Sequence, residues 1–122
     1  MKQKSVLVIG AGFMGAGIAQ VCAQSGYLVF LNDVTPDALG KAEKSIQWSV
    51  NKLHEKTFLQ EEPKTLLSRI SYVTDFASAS EVDWVIEAIP EHEALKIDLF
   101  LELEKKCLTW NKMRGKRAYL DG

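Results

Sequence analysis

Two rhythms of apolar residues alternate along the chain. Short aliphatic runs at 5–9, 27–32, 70–74 and 82–89 are almost uninterrupted, as parallel strands covered on both faces require. Between them, apolar positions recur every three or four residues, the period of a helix with one buried face. Leu39, Ala42, Ile46, Val50 and Leu53 form one such stripe on a long helix ending near Lys56. Thr35 and Pro36 predict its start, a capping hydroxyl followed by proline at the first helical position. Ile18, Val21 and Cys22 mark an earlier helix over 14–25, which Gly26 stops. A short helix is expected over 59–68, with Pro63 near its first turn, and a helical turn over 75–81. Pro90 ends the fourth run. A last helix over 91–106 carries Leu95, Leu99 and Leu103 on one face. Strands alternating with helices in this order predict an α/β fold, a doubly wound parallel sheet of about four strands with right-handed crossovers.

After Cys107 the period is lost. Residues 108–122 hold Lys112, Arg114, Lys116 and Arg117 against Asp121, so the first 107 residues carry an acidic excess behind an overall charge of −1. The expected division is therefore one domain over 1–107 and a flexible basic tail over 108–122. In the alternative, Arg117 to Leu120 add a short edge strand.

The rest of the composition narrows the class. A chain of 122 residues can bury one real core, and 47% apolar with 25% charged residues is ordinary for a globular protein. A near-neutral charge gives no nucleic-acid signal, and no apolar run reaches membrane-spanning length. The chain enters its first strand directly, with no secretory signal pattern. Two cysteines, Cys22 and Cys107, are too few for a disulfide framework or a zinc site, and Cys22 reads as core packing. A reducing, cytoplasmic setting is expected.

The chemistry concentrates where the first strand ends. Gly10, Gly12 and Gly15 follow it in the spacing GxGxxG, and a helix begins at once. Gly10 permits the tight turn, Gly12 lets a pyrophosphate approach the backbone, and Gly15 lets helix and strand pack closely. The helix end then turns free N–H groups and a positive dipole toward phosphate. The motif alone is common. Its context is not, because the second strand ends in Asp33, 23 positions after Gly10, where a dinucleotide fold of the Rossmann type places an acid on the ribose hydroxyls. Val34, Thr35 and Pro36 follow, with no arginine for a 2′-phosphate, so NAD is favoured over NADP. The bland reading, a tight turn with an acid that caps the next helix, explains less of this arrangement.

With these residues placed, the chain resembles the N-terminal NAD-binding domain of the 3-hydroxyacyl-CoA dehydrogenases. The segments VIGAGFMGAGIAQ, NDVTP and VIEAIPEHEALKIDLF carry the likeness, the last most of all, with Glu87-Ala88, then Glu91 and Lys96. The resemblance implies NAD contacts at Gly10, Ala11, Gly12, Phe13, Met14, Gly15, Asp33, Glu91 and Lys96. It implies coenzyme-A contacts at Ser49 and Lys56. From the residues alone that flank of the long helix, with Lys52, is an ordinary solvated face. A hydroxyl and a lysine two turns apart also suit a phosphorylated ligand.

The family's reaction exchanges a hydride between NAD and the 3-hydroxyl carbon of a hydroxyacyl-CoA. Its Asn-Thr-Ser-Ser motif, catalytic His with a Glu partner, and helical C-terminal domain have no counterpart in these 122 residues. His54 and His92 sit at no matching position. The expectation is a fragment that binds NAD but is inactive alone, with self-association through an exposed fourth strand into a homo-oligomer. Three alternatives stay open: a non-catalytic or crystallin-like module on the same scaffold, a methyltransferase, and a dehydrogenase of the hydroxyisobutyrate or phosphogluconate group with its GxGxMG turn. Gly15 and the EAIPE…K segment argue against the second, and Asp33 without a following base against the third.

Overall fold

Residues Ser5–Ile9 form strand β1, and all but the first are buried. A strand hidden this completely needs backbone partners on both edges and side-chain cover on both faces. The computed structural model, which describes residues 4–88 and 117–119, has both. On one edge β2 (Leu28–Asn32) runs parallel to β1, with Ser5 opposite Leu28 and Ile9 opposite Asn32. Outside it, β3 (Ile70–Val73) pairs with β2. On the other edge β4 (Trp84–Glu87) pairs with β1, Val6 facing Trp84. Beyond β4 lies β5 (Arg117–Tyr119), with Val85 opposite Arg117. The sheet is thus β3-β2-β1-β4-β5, and every pairing is parallel.

Alternate side chains of β1 enter two separate cores, because a strand's side chains point to opposite faces in turn. Val6 and Val8 join Val29 and Leu31 beneath helices α1 (Phe13–Gln24), α2 (Pro36–Glu55) and α3 (Pro63–Leu67). Helix α1 meets this face through Ala16, Ala19 and Ala23, so it lies close to the sheet. Of the predicted stripe of α2, Leu39, Ala42, Ile46 and Val50 are buried and Leu53 is half-buried. Burying a side chain such as Ile46 or Leu31 contributes about 1.5–3 kcal/mol. On the opposite face Leu7 and Ile9 pack with Phe76, Ala79, Val82 and Val85. Ala79 belongs to a 3-10 turn at Ala77–Ser80, inside the span where a helical turn was expected.

Local bonds set the element ends. The Arg69 guanidinium donates to the Ala23 carbonyl and pairs with Glu61, which ties the end of α1 to the start of β3. That pairing holds the Glu61 carboxyl below its usual range. Helix α2 closes when Phe58 N–H donates to the Leu53 carbonyl and Thr57 N–H to that of His54. Thr57 has φ 63°, a left-handed conformation that a β-branched residue seldom adopts.

The parallel, doubly wound sheet is as expected, and of the two readings of the last segment the short edge strand is the one met at Arg117–Tyr119, which brings the sheet to five strands. The edge of β4 that was expected to be exposed is paired with β5. Thr35 does stand at the N-cap of α2, but its hydroxyl makes no capping bond. A neighbouring carboxylate organises that turn instead. The helix expected over 91–106 and the remainder of the 108–122 segment lie outside the described residues.

Candidate functional site

The sheet order reverses between β1 and β4, since β2 and β3 lie to one side and β4 and β5 to the other. A crevice opens at the carboxyl ends of the strands where such a reversal occurs, and ligands of doubly wound folds bind there. The glycine turn fills this position. Gly10 leaves β1 with φ 103°, a conformation that favours glycine, and its N–H donates to the Asn32 carbonyl at 2.8 Å. On the other side, Ala88 N–H donates to the Ile9 carbonyl at 2.8 Å, which holds the end of β4 against the turn. Glu87 is buried there, with 2% of its surface exposed.

The glycines divide by what surrounds them. A Cβ on Gly15 would stand 1.6 Å from the Gly10 carbonyl oxygen and 3.8 Å from the Ala88 Cβ. The fold itself excludes a side chain at that position. A Cβ on Gly12 would meet nothing within 4 Å. Packing within the described residues thus gives no reason for glycine at Gly12, which suits a position kept bare for a ligand. Gly12 is also the N-cap of α1, so no side chain caps that helix. The first turn contains no acid, and it presents Phe13, fully exposed, and Met14. The helix end is left positive and able to donate.

Asp33 binds the turn together. Its Oδ2 accepts from Ala11 N–H and its Oδ1 from Thr35 N–H, each at 2.9 Å. Its own N–H donates to the Val73 carbonyl at 3.1 Å. The preceding residue, Asn32, is buried and donates through Nδ2 to the Asp75 carbonyl at 2.7 Å. The acid after β2 is thereby fixed directly beside the glycine turn. Each carboxylate oxygen keeps a second lone pair for another donor. Nothing in the residue pattern signals that Ala11 holds Asp33 in place, because that contact arises only when the two strand ends lie side by side.

The remaining sequence candidates are elsewhere. Ser49 and Lys56 belong to α2 and its C-cap, with Ser49 half-buried and Lys56 exposed. Ser49 Oγ accepts from Gln20 Nε2 at 2.9 Å, a partner on α1 that the sequence pattern does not single out. Glu91 and Lys96 lie outside the described residues, as does His92. Among the described residues no group of His, Cys, Asp and Glu could hold a metal ion. An apolar hollow of about 260 Å³, lined by Val6, Val21, Cys22, Tyr27, Trp84 and Ile86, faces the opposite end of the strands. Burial raises the Cys22 thiol pKa there, which leaves less of the reactive thiolate.

Comparison with known proteins agrees with this geometry. Residues 5–109 match the family model for the 3-hydroxyacyl-CoA dehydrogenase, NAD binding domain. A probable 3-hydroxybutyryl-CoA dehydrogenase of Deinococcus radiodurans is 47% identical over 96 residues, which cover 79% of this chain and 34% of that protein. The mitochondrial hydroxyacyl-coenzyme A dehydrogenase of Sus scrofa is 46% identical over 110 residues, covering 84% of this chain and 35% of that protein. The crystal structure of 3-hydroxybutyryl-CoA dehydrogenase from Escherichia coli K12 superposes with a TM-score of 0.79 at 37% identity, covering 88% of this chain and 23% of that one. The chain thus spans about a third of the length of the curated relatives it matches. With its glycine turn, its acid after β2 and its sheet order, the chain belongs to the 3-hydroxyacyl-CoA dehydrogenase family, matching that family's NAD-binding domain over residues 5–109.

Proposed function

We propose that this domain serves the NAD-linked interconversion of 3-hydroxyacyl-CoA and 3-oxoacyl-CoA, and that residues 10–15 with Asp33 hold the cofactor. One observation carries the reading: the carboxylate that would meet the ribose is bonded to the Ala11 N–H of the turn that would meet the pyrophosphate. Two recognition groups for neighbouring parts of one dinucleotide are held as a unit. Bound NAD supplies the hydride acceptor. The chain's own residues bind and orient it: the glycine turn and the α1 N-terminus face the phosphates, and Asp33 accepts from ribose hydroxyls. Glu91 and Lys96 belong to the proposed contact set on the strength of the sequence resemblance.

The substrate half of the reading rests on Ser49 and Lys56 as contacts for the coenzyme-A portion. Relatives named for hydroxybutyryl-CoA and hydroxyacyl-coenzyme A support that class of ligand. No helix among the described residues is long and apolar enough to cross a membrane. A reducing cytoplasmic setting belongs to this proposal, although four of the matched relatives, that of Sus scrofa among them, are named as mitochondrial.

Calorimetric titration with NAD and with NADP tests the assignment. Binding of NAD should be the tighter, because a carboxylate that accepts from ribose hydroxyls repels a 2′-phosphate and Val34, Thr35 and Pro36 supply no compensating base. Equal affinity or a preference for NADP would sink it. Assayed with acetoacetyl-CoA and NADH, the 122-residue polypeptide by itself should turn over at background rate. By the resemblance, neither His54 nor His92 matches the position of the family's catalytic His. A base poised near neutrality is what the proton transfer needs. Oxidation of NADH at ordinary enzyme rates would refute that part.

A further inference from the structure

We infer that Gln20 is a positioning residue for the coenzyme-A flank of α2, an inference resting on the proposal that Ser49 contacts that ligand. Gln20 lies two turns into α1, between the glycine turn and the helix's end. Its single Nε2 group donates both its hydrogens, one to Gln24 Oε1 at 3.0 Å and one to Ser49 Oγ at 2.9 Å. The contact to Ser49 is partly buried and joins helices 29 residues apart in the chain. A serine hydroxyl has two acceptor lone pairs and one hydrogen to give. Here Gln20 occupies an acceptor position. Among the described residues, Ser49 Oγ donates to nothing, so its hydrogen is unspent.

The direction of this bond decides what the serine can do. Serines within helices commonly turn their hydroxyl back onto the carbonyl four residues earlier. A donor pressed against Ser49 Oγ from α1 orients its lone pairs toward Gln20, and its hydrogen then faces away from that contact. Ser49 is thereby presented as a hydrogen-bond donor, the role an anionic or carbonyl oxygen of a coenzyme-A ligand requires. Lys56, two turns further along, offers donors only and no acceptor. Both candidate contacts on α2 then match an acceptor-rich, negatively charged ligand.

The test measures binding of free coenzyme A to the full chain by calorimetry, with NAD binding and the thermal midpoint measured alongside. Three variants are compared with the parent: Gln20→Leu, similar in length but without the amide, Ser49→Ala, and the two combined. Each single change should weaken coenzyme A by about three- to tenfold, the worth of one hydrogen bond. The double variant should be no weaker than Ser49→Ala alone, because Gln20 acts only through that hydroxyl. NAD affinity should not change. A Gln20→Leu variant that binds coenzyme A like the parent would overturn the inference. So would equal losses from Gln20→Leu in the presence and absence of the Ser49 hydroxyl, which would make Gln20 a mere packing contact between the helices. Failure of the parent chain to bind coenzyme A would remove Ser49 and Lys56 from the ligand site, and this inference with them, while a retained NAD titration would leave the cofactor assignment standing.

Discussion

The Ala11 N–H donates to Asp33 Oδ2 at 2.9 Å, so the residue between the first two motif glycines is held by the acid that ends β2. This bond gives Asp33 a structural duty beside its proposed ligand duty. Asp33→Ala leaves the Ala11 and Thr35 N–H groups without their acceptor, at a cost of about 1–3 kcal/mol. A fall in the unfolding midpoint together with weaker NAD binding is expected. Unchanged stability, read by denaturant titration, would show that water replaces the carboxylate at no cost.

The motif glycines should separate into one that folding needs and one that binding needs. Gly15→Ala places a methyl 1.6 Å from the Gly10 carbonyl oxygen, so the helix must move away from the strand end. A loss of at least about 3 kcal/mol, or failure to fold, is expected from overpacking this severe. Gly12→Ala points its methyl into open space at φ −73°, which alanine tolerates. That variant should unfold near the parent's midpoint yet bind NAD far more weakly. Equal effects of both changes on stability would contradict the division.

Thr57 offers a gain. Its φ of 63° lies where an L side chain crowds its own backbone, and the two bonds that close α2 need only backbone atoms. Thr57→Gly removes that crowding but adds freedom to the unfolded chain, for a net stabilisation of about 0.5–1 kcal/mol. Thermal unfolding of the two proteins checks it, and a lower midpoint for the variant would count against the argument.

Burial, and then the charge of Glu43, push the Tyr72 phenol up to about 12. The folded state therefore keeps this proton where the unfolded chain has lost it. From about pH 10, the ordinary tyrosine value, to about pH 12, stability should fall as pH rises, and the fall should be absent in Tyr72→Phe. Ultraviolet titration should show the Tyr72 transition moving down toward the ordinary value in Glu43→Gln. A parent Tyr72 that titrates near pH 10 would remove the effect.

Removing residues 108–122 should expose the β4 edge that β5 covers. A chain ending at Cys107 then offers unpaired N–H and C=O groups along an apolar strand, a template for a second copy. Sedimentation of this shorter chain should show concentration-dependent association stronger than that of the full chain. Identical behaviour of both would mean that β5 protects nothing.

What the sequence made legible followed from signals complete within a few residues. The glycine turn, the unbroken aliphatic runs and the Leu39-to-Val50 stripe each declare an element locally, and β1 to β4, α1 and α2 formed where these fell. What stayed hidden depends on residues far apart in the chain. Strand β5 is three residues long and has no period, so only its partner β4 makes it a strand. The Thr35 hydroxyl was a reasonable cap by residue type, but Asp33, two residues earlier, captured the Thr35 N–H and organised the turn first. The Gln20 bond to Ser49 spans two helices whose facing sides appear only once both lie on one sheet face.

Strand β1 occupies the middle of the sheet although it precedes the other four strands in the chain. During synthesis it is therefore made first but gains its second neighbour only when β4 has been made. One flank waits for residues 28–32 and the other for residues 84–87, the last of which follows Ile9 by 78 positions. At about 5–20 residues per second that wait lasts roughly 4–16 seconds. Through this interval the most apolar strand of the described core has one edge with no native partner to take it. A nascent chain of this kind has its greatest need of a chaperone before β4 emerges, and substitutions that slow the arrival of β4 should reduce soluble yield even where they leave the finished fold equally stable.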